Sequence, residues 1–395
     1  MRQALEGIRV LELGRVLAAP FCGQMLGDLG AEVIKVEVPG TGDESRAYGP
    51  PFVDGQSFYF LSLNRNKESV TLNLKDDRAK DVLRRLIARS DVFLHNSLPR
   101  PMERLGFSYD EVRKVNPRIV YGAISAFGQS GPDRDRPSLD MMAQALSGLM
   151  FLTGEPGGAP MRSGAAVSDI TAGMFAAYAI VAALLHRERT GEGQMVDTSL
   201  IESSVALLTY QASRLFVTGQ NPARLGNAHP SIVPYDSYRT ADGWLTVAVM
   251  NQAHWEHFCL ALDLGGLLED PRFVDNASRV AHREELQELV KKHFVLLSTA
   301  EAMRRLDEKG VPCAEVRDLA AVFASPQVER LAVRQRVHHP VTGDVDVVAP
   351  PFHLSATPPV LEKAPPLLGE HTDRWLREVG LSDEEIGRLR NEGVI

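Results

Sequence analysis

The first 125 residues alternate short apolar runs with helical stretches, and that alternation leaves few folds open. "IRVLEL" (residues 8–13) reads as a strand, "FCGQMLGDLG" (21–30) as a helix ending at glycine, and "AEVIKVE" (31–37) as a second strand. A strand, a helix and a strand in so little chain make a β-α-β unit, which needs a parallel sheet and a right-handed crossover. "SVTLNL" follows as a third strand, then "DDRAKDVLRRLIARS" as an amphipathic helix, "DVFLHN" as a fourth strand and "IVYGAIS" as a fifth. The reading is a doubly wound α/β domain over residues 1–205.

Beyond it the texture changes. "NPARLGNAHPSIVPYDSYRTADG" is loop-rich, "WLTVAVM" is a strand, and three helical stretches follow, predicting a smaller α/β domain at 225–325. The last stretch, 326–395, carries a hairpin with its turn at Thr342–Asp344 and a capped final helix in "SDEEIGRLRNEGVI". At 395 residues the chain has room for two or three domains.

Charge and cysteine usage exclude several function classes. The formal net charge is −8 with acids and bases interspersed, so no basic stripe exists for nucleic acid. The start of the chain lacks the pattern of a signal peptide. The longest apolar run, Met174–Leu185, is short of the roughly 20 residues a membrane span needs, and reads as a core helix. Cys22, Cys259 and Cys313 are distant and odd in number, which predicts a reducing, cytoplasmic setting and no zinc site.

The first strand–helix turn, "LELGRVLAAP", does not carry the glycines of a dinucleotide site; after Gly14 come Arg15, Val16 and Leu17. Glu37 stands where a ribose-binding acid would sit, but without those glycines it reads as a solvated strand end. "RSGAAVSDITAGMFAAYAIVAALLHR" is more informative. Asp169 stands where small, bendable residues give way to a long apolar helix. Ser168 or Asp169 is a natural helix cap. The same position also suits a nucleophile, because free N–H groups and the helix dipole keep a carboxylate ionised and could stabilise a neighbouring oxyanion. Spacing alone leaves both roles open.

Several motifs, spread in order over the whole chain, carry a resemblance: "LGDLGAEVIKVEVPGTGDESR", "LNRNKESVTLNLK", "MERLGFSYDEV", "VSDITAG", "LLHRERTGEGQMVDTSL", "GNAHPSIVPYDSYRTADG" and "PLLGEHT". Together they resemble the family III coenzyme A transferases, which include formyl-CoA:oxalate transferase, carnitine-CoA transferases and α-methylacyl-CoA racemases. The resemblance implies a Rossmann-like large domain, a smaller α/β domain, a last stretch returning to the large domain, and a homodimer whose chains interlock. It implies Asp169 as nucleophile, with coenzyme A as a substrate and no metal. For coenzyme binding it points to Leu17 and Ala18 near the pantetheine, to Leu72, Asn73, Leu74 and Lys75 (the lysine meeting phosphate), and to Asn96, Ser97, Arg104 and Leu139. Val38 stands where the family often has arginine, a loss that Arg46 or Arg100 could make good.

Racemases of this family place a histidine before the aspartate of a G-H-D motif; here that position is Leu139, which cannot move a proton. Transfer is therefore preferred, with a racemase or isomerase of the same fold, or a CoA-binding protein without activity, as alternatives. The region "GNAHPSIVPYD" has no glycine run of the oxalate-specific kind and resembles members acting on dicarboxylates, with succinyl-CoA a possible donor. A second carboxylate needs a cation or donor, and Arg15, Arg46 and His229 are the candidates.

Overall fold

The structure, a computed structural model, describes residues 3–395. Six strands form one parallel sheet: β1 (Arg9–Leu13), β2 (Glu32–Glu37), β3 (Lys67–Thr71), β4 (Val92–His95), β5 (Val120–Ser125) and β6 (Met195–Ser199), in the order β3-β2-β1-β4-β5-β6. Chain order reverses between β1 and β4, which creates a crevice beyond their carboxyl ends. β3 ends three residues earlier than its apolar pattern predicts, so Leu72–Lys75 lies in the connection after the strand.

Helices cover both faces. Against one lie α1 (Ala18–Asp28) and, much later in the chain, the long helix that holds Asp169; α2 (Asp77–Ile87) lies on the other, and α3 (Pro99–Leu105) and α4 (Asp140–Leu146) flank the crevice end. The long helix, α5, is Val167–Thr190. Its most apolar window has a mean hydropathy of 1.7, long and apolar enough to cross a membrane by length and composition, yet half of that window is buried inside the protein. Ala172, Ala176, Ala177, Ile180 and Ala183 pack with Ala18, Ala19, Cys22 and Leu26 of α1 in one core. Gly173 permits the approach: a Cβ there would stand 2.7 Å from the Ala18 carbonyl oxygen.

The chain divides into two compact units. The first comprises 1–150, 162–213 and 327–395; the second comprises 151–161 and 214–326. The second unit has an antiparallel sheet of β7 (Tyr235–Arg239), β8 (Trp244–Ala248) and β9 (Cys313–Glu315), with β8 in the middle. Its core is Trp255, Phe258, Phe294 and their neighbours. In the tail, a hairpin of β10 (Arg334–His339) and β11 (Gly343–Val348) turns through 340–342, one or two residues earlier than expected. The final helix, Asp383–Asn391, starts with a full capping box between Ser382 and Glu385. Trp375, Leu376, Ile386, Leu389 and Ile395 close the core on the α2 side of the large sheet.

Beneath the carboxyl end of β1 lies a cluster of buried charges. The Lys35 ammonium contacts Glu12 at 3.0 Å and Asp43 at 2.8 Å and donates to the Gly14 carbonyl at 2.8 Å. Lys67 pairs with Glu12 at 2.8 Å and donates to the Pro20 carbonyl and to Asn64. Burial pushes Lys35 down, but Glu12, Asp43 and Glu37 outweigh it and hold it above the usual lysine range. Burial pushes Lys67 the other way from its Glu12 contact and prevails, lowering it. Gly23 on α1 leaves room for this cluster, since a Cβ there would meet the Glu12 carboxylate at 2.0 Å. Removing one member strands its partners without compensation. Lys35→Met should lower unfolding stability by about 3–5 kcal/mol, measured by chemical denaturation; a loss under about 1 kcal/mol would mean that the charges do not depend on one another.

Candidate active site

Two cavities meet at the crevice between β1 and β4. The smaller, about 310 Å³, is lined by Arg15, Leu17, Ala18, Glu44, Asn96, Ser97, Leu139 and Asp169 among others. The larger, about 550 Å³, is lined by Gly14, Val38, Leu72, Asn73, Leu74, Lys75, Leu105 and Gly393 among others. Arg15, Ser97 and Pro101 line both, so the two adjoin and together form a trough, with Asp169 on the wall of one part and Lys75 on the wall of the other.

The trough's floor is the first strand–helix turn, held by hydrogen bonds instead of glycines. Val16 has a φ of 64°, a rare conformation for a β-branched residue. Its N–H donates to the Asp43 carboxylate at 3.1 Å, while Lys35 holds both Asp43 and the Gly14 carbonyl. Burial raises the Asp43 carboxyl, but Lys35 and the Ser45 hydrogen bonds prevail and hold it at about 2. On the other side of the turn, the Asn96 amide accepts from the Arg15 N–H at 2.8 Å and donates to the Arg15 carbonyl at 2.7 Å. His95 braces that clasp. Its Nδ1 accepts from the Ser97 N–H, and its Nε2 meets the Tyr121 hydroxyl at 2.8 Å, whose own hydrogen goes to the Phe107 carbonyl. Nε2 is thus the protonated nitrogen of a neutral ring, and burial pushes His95 down to about 4.

Asp169 is not the cap of α5. Ala166 occupies the cap position without a side-chain bond, and Asp169 stands third in the first turn. The capping acceptor comes from 28 residues upstream: Asp140 takes the Ser168 N–H at 2.8 Å, and Gln144 steadies it at 2.7 Å. Asp169 is free of that duty, and among the described residues no hydrogen bond to its carboxylate is formed. The helix start is not the only influence on its ionisation. Burial first, and the Asp140 charge second, push Asp169 up to about 7. Beside it, the first turn of α1 has no side-chain cap, and Leu17 and Ala18 at its start line the cavity.

The other expected residues divide. Leu17, Ala18, Asn96, Ser97 and Leu139 line the Asp169 cavity; Leu72, Asn73, Leu74 and Lys75 line the other. Arg104 does not line either: it is exposed on the last turn of α3, next to Leu105, which does. Arg46 is committed elsewhere, paired in two-pronged fashion with Glu37 at 2.7 Å and stacked 3.6 Å above the Phe60 ring. Glu37 is accordingly a buried anchor, also accepting from Ser69 and the Asp43 N–H, and not a solvated strand end. Arg100 pairs with Asp135 at 3.5 Å and lines neither cavity, whereas Val38 is exposed in the larger one. His229 belongs to the second unit, where its ring stands edge-on to Tyr235.

The cavities lie at the switch point of the sheet, with Asp169 on the wall of one and Lys75 on the wall of the other, and the chain as a whole matches known proteins. The model of CoA-transferase family III matches residues 5–372. This chain belongs to that family. Succinyl-CoA:glutarate CoA-transferase of Mus musculus is 41% identical over 99% of this chain and 90% of its own length. Succinate–glutarate CoA-transferase of Agrobacterium fabrum is 39% identical over 95% of each chain. Among solved structures, a CaiB/BaiF family protein from Brucella suis superposes with a TM-score of 0.86 at 35% identity, covering 96% of this chain and 100% of its own.

For a family III chain, several features of the trough were invisible to motif reading. Asp140 caps α5 across 28 residues, Glu44 faces Arg15, and the chain's end reaches the larger cavity, where the Asn73 N–H donates to the Val394 carbonyl. Tyr59 lies in the field of Asp169; burial and that carboxylate push its phenol up to about 12. None of these pairs has a sequence signal, because each joins distant segments. The raised Asp169 has a kinetic consequence. A nucleophile must be deprotonated, so kcat/KM should rise with pH through about 7. Asp140→Asn keeps a cap oxygen for Ser168 but removes the charge, and should move that midpoint to lower pH; a pH–rate profile with an unmoved midpoint would mean that the Asp140 charge does not act on Asp169.

Proposed function

We propose that this chain moves coenzyme A from succinyl-CoA to a short dicarboxylic acid, with Asp169 carrying the coenzyme between them. The observation that carries this reading is a carboxylate without hydrogen bonds among the described residues, on the wall of a cavity that adjoins the one lined by Lys75. The names of the relatives supply the donor and the acceptor class.

The Asp169 carboxylate attacks the thioester carbonyl and expels the coenzyme A thiolate, leaving a mixed anhydride. The thiolate attacks the Asp169 carbonyl of that anhydride, giving an aspartyl-CoA thioester and releasing the donor acid. The acceptor carboxylate then attacks the same carbonyl and expels the thiolate. The thiolate takes the acceptor acyl group and returns Asp169 as carboxylate. One activated linkage, thioester or anhydride, persists at every step while the donor acid leaves and the acceptor acid enters, so no further energy source is needed. The start of α1 has no side-chain cap and lines the same cavity, so the N–H groups of Ala18 and Ala19 are the donors this reading assigns to a developing oxyanion. Leu72–Lys75 and Ser97 hold the coenzyme along the larger cavity, with Lys75 on phosphate. Asn96 contributes through the Arg15 main chain, since both its amide groups are used there.

The same reading takes the protein as a cytoplasmic homodimer. Three unpaired cysteines fit a reducing compartment, and Phe175, Tyr178 and Leu185, exposed along one side of α5, fit a face covered by a second chain. Against a racemase stands Leu139, an apolar side chain on the cavity wall where a proton-transferring base would be needed.

Asp169→Ala should abolish transfer. Incubating the wild type with acyl-CoA and then hydroxylamine should convert Asp169 to a hydroxamate, mapped by mass spectrometry; oxygen-18 in the acceptor carboxylate should reach the Asp169 side chain. Turnover without label in Asp169 would rule out the covalent route, and α-proton exchange without acceptor would favour the racemase. Lys75→Ala should raise KM for acyl-CoA by about 10-fold or more, the worth of one charge-assisted hydrogen bond, with a smaller effect on kcat.

A further inference from the structure

We propose that Arg15 reads the distal carboxylate of the acyl group, with Glu44 as the partner it rests on when that carboxylate is absent. The proposal rests on the transferase reading above and adds the residue that selects dicarboxylates within it.

Arg15 is the one cationic side chain among the residues lining the Asp169 cavity. Its main chain is immobile: Asn96 clasps both its N–H and its carbonyl, and the next N–H is tied to Asp43. Its side chain is not. The guanidinium meets Glu44 through one contact at 2.9 Å, and both side chains are about half exposed, at 55% and 54%. An exposed, single-contact pair of this kind contributes between zero and about 1 kcal/mol. Exchanging Glu44 for a substrate carboxylate therefore costs little, whereas a carboxylate bound two-pronged by the guanidinium gains more. Glu44 is itself fixed at the start of a short turn capped by Asp43, so it offers Arg15 a defined resting place.

The competing cations are absent from this cavity. Arg46 is held by Glu37 and by the Pro366 carbonyl, and Arg100 pairs with Asp135. The chemistry adds a further constraint. Donor acid and acceptor acid use the same carbonyl of Asp169 in turn, so their reacting carboxyl groups occupy one place. A single cation at a set distance from that place then serves both, and donor and acceptor should be short dicarboxylates of similar length.

The test uses the full-length protein and compares glutarate with valerate, which lacks the second carboxylate. Preference is read as the ratio of KM values or, for an acid that is not turned over, of competitive inhibition constants. In Arg15→Met the preference for glutarate should fall about 10- to 100-fold. The affinity for free coenzyme A, measured by calorimetry, should stay within about 2-fold, because coenzyme A lacks the distal carboxylate. Both Asn96 contacts go to the main chain, so the variant keeps its clasp; Arg15→Lys should restore part of the preference. Glu44→Gln should release Arg15 and raise the preference for glutarate. An unchanged preference in Arg15→Met overturns the proposal. So does a loss of coenzyme A affinity with the preference intact, which would assign Arg15 to the coenzyme phosphates. A lower preference in Glu44→Gln overturns the resting pair. A wild type that transfers to no acid and gives no Asp169 adduct refutes the transferase reading first, before any variant is made.

Discussion

The trough depends on charges that water never reaches. Glu12, Lys35 and Lys67 are buried beneath the first strand–helix turn, and Asp43 joins them from the far side of β2. A dinucleotide-binding turn reaches its shape through glycines; this one reaches it through Lys35, which pins the Gly14 carbonyl and the carboxylate that holds Val16 in a left-handed conformation. The start of α1, which has no side-chain cap, follows this turn directly in the chain. Buried ions are costly individually and are sustained by one another, which makes the turn rigid and leaves it sensitive to loss of any one member.

A second tension is electrostatic. Asp169 stands partly buried on the cavity wall with Asp140 nearby, and burial together with that neighbour raises the nucleophile's affinity for its proton. A nucleophile poised near neutrality is more basic than an ordinary aspartate and hence a stronger attacking group once deprotonated. The fraction that is deprotonated is correspondingly smaller. Asp140 therefore has two effects that pull in opposite directions: its oxygen starts the helix that carries Asp169, and its charge opposes ionisation there.

How much was legible in the sequence differs from residue to residue. The capping box at Ser382 and Glu385 was readable, because a cap and its partner are three residues apart. The strand–helix alternation was readable for the same reason, since periodicity is local. Glu37 was misread as solvated, because its partners Arg46 and Ser69 come from separate segments. Asp169 was correctly placed at a helix start, but the burial that raises its affinity for a proton was not legible, because it comes from segments far apart in the chain.

By itself the sequence determined the order of strands and helices, the family and the residue types that could face a coenzyme: Lys75 beyond the third strand, Asp169 before a long apolar helix, leucine at 139. These follow from spacing along the chain. The tertiary structure decided which of those residues meet. It brought Asp140 to the start of α5, turned Arg46 and Arg100 away toward Glu37 and Asp135, left Arg15 facing the Asp169 cavity with only Glu44 as its partner, assigned residues 151–161 to the second unit, and carried Gly393 to the wall of the larger cavity. The reason is physical: a pKa, a freed cation and a cavity wall all depend on what lies a few ångströms away across the fold, and neighbours in space are not neighbours in sequence.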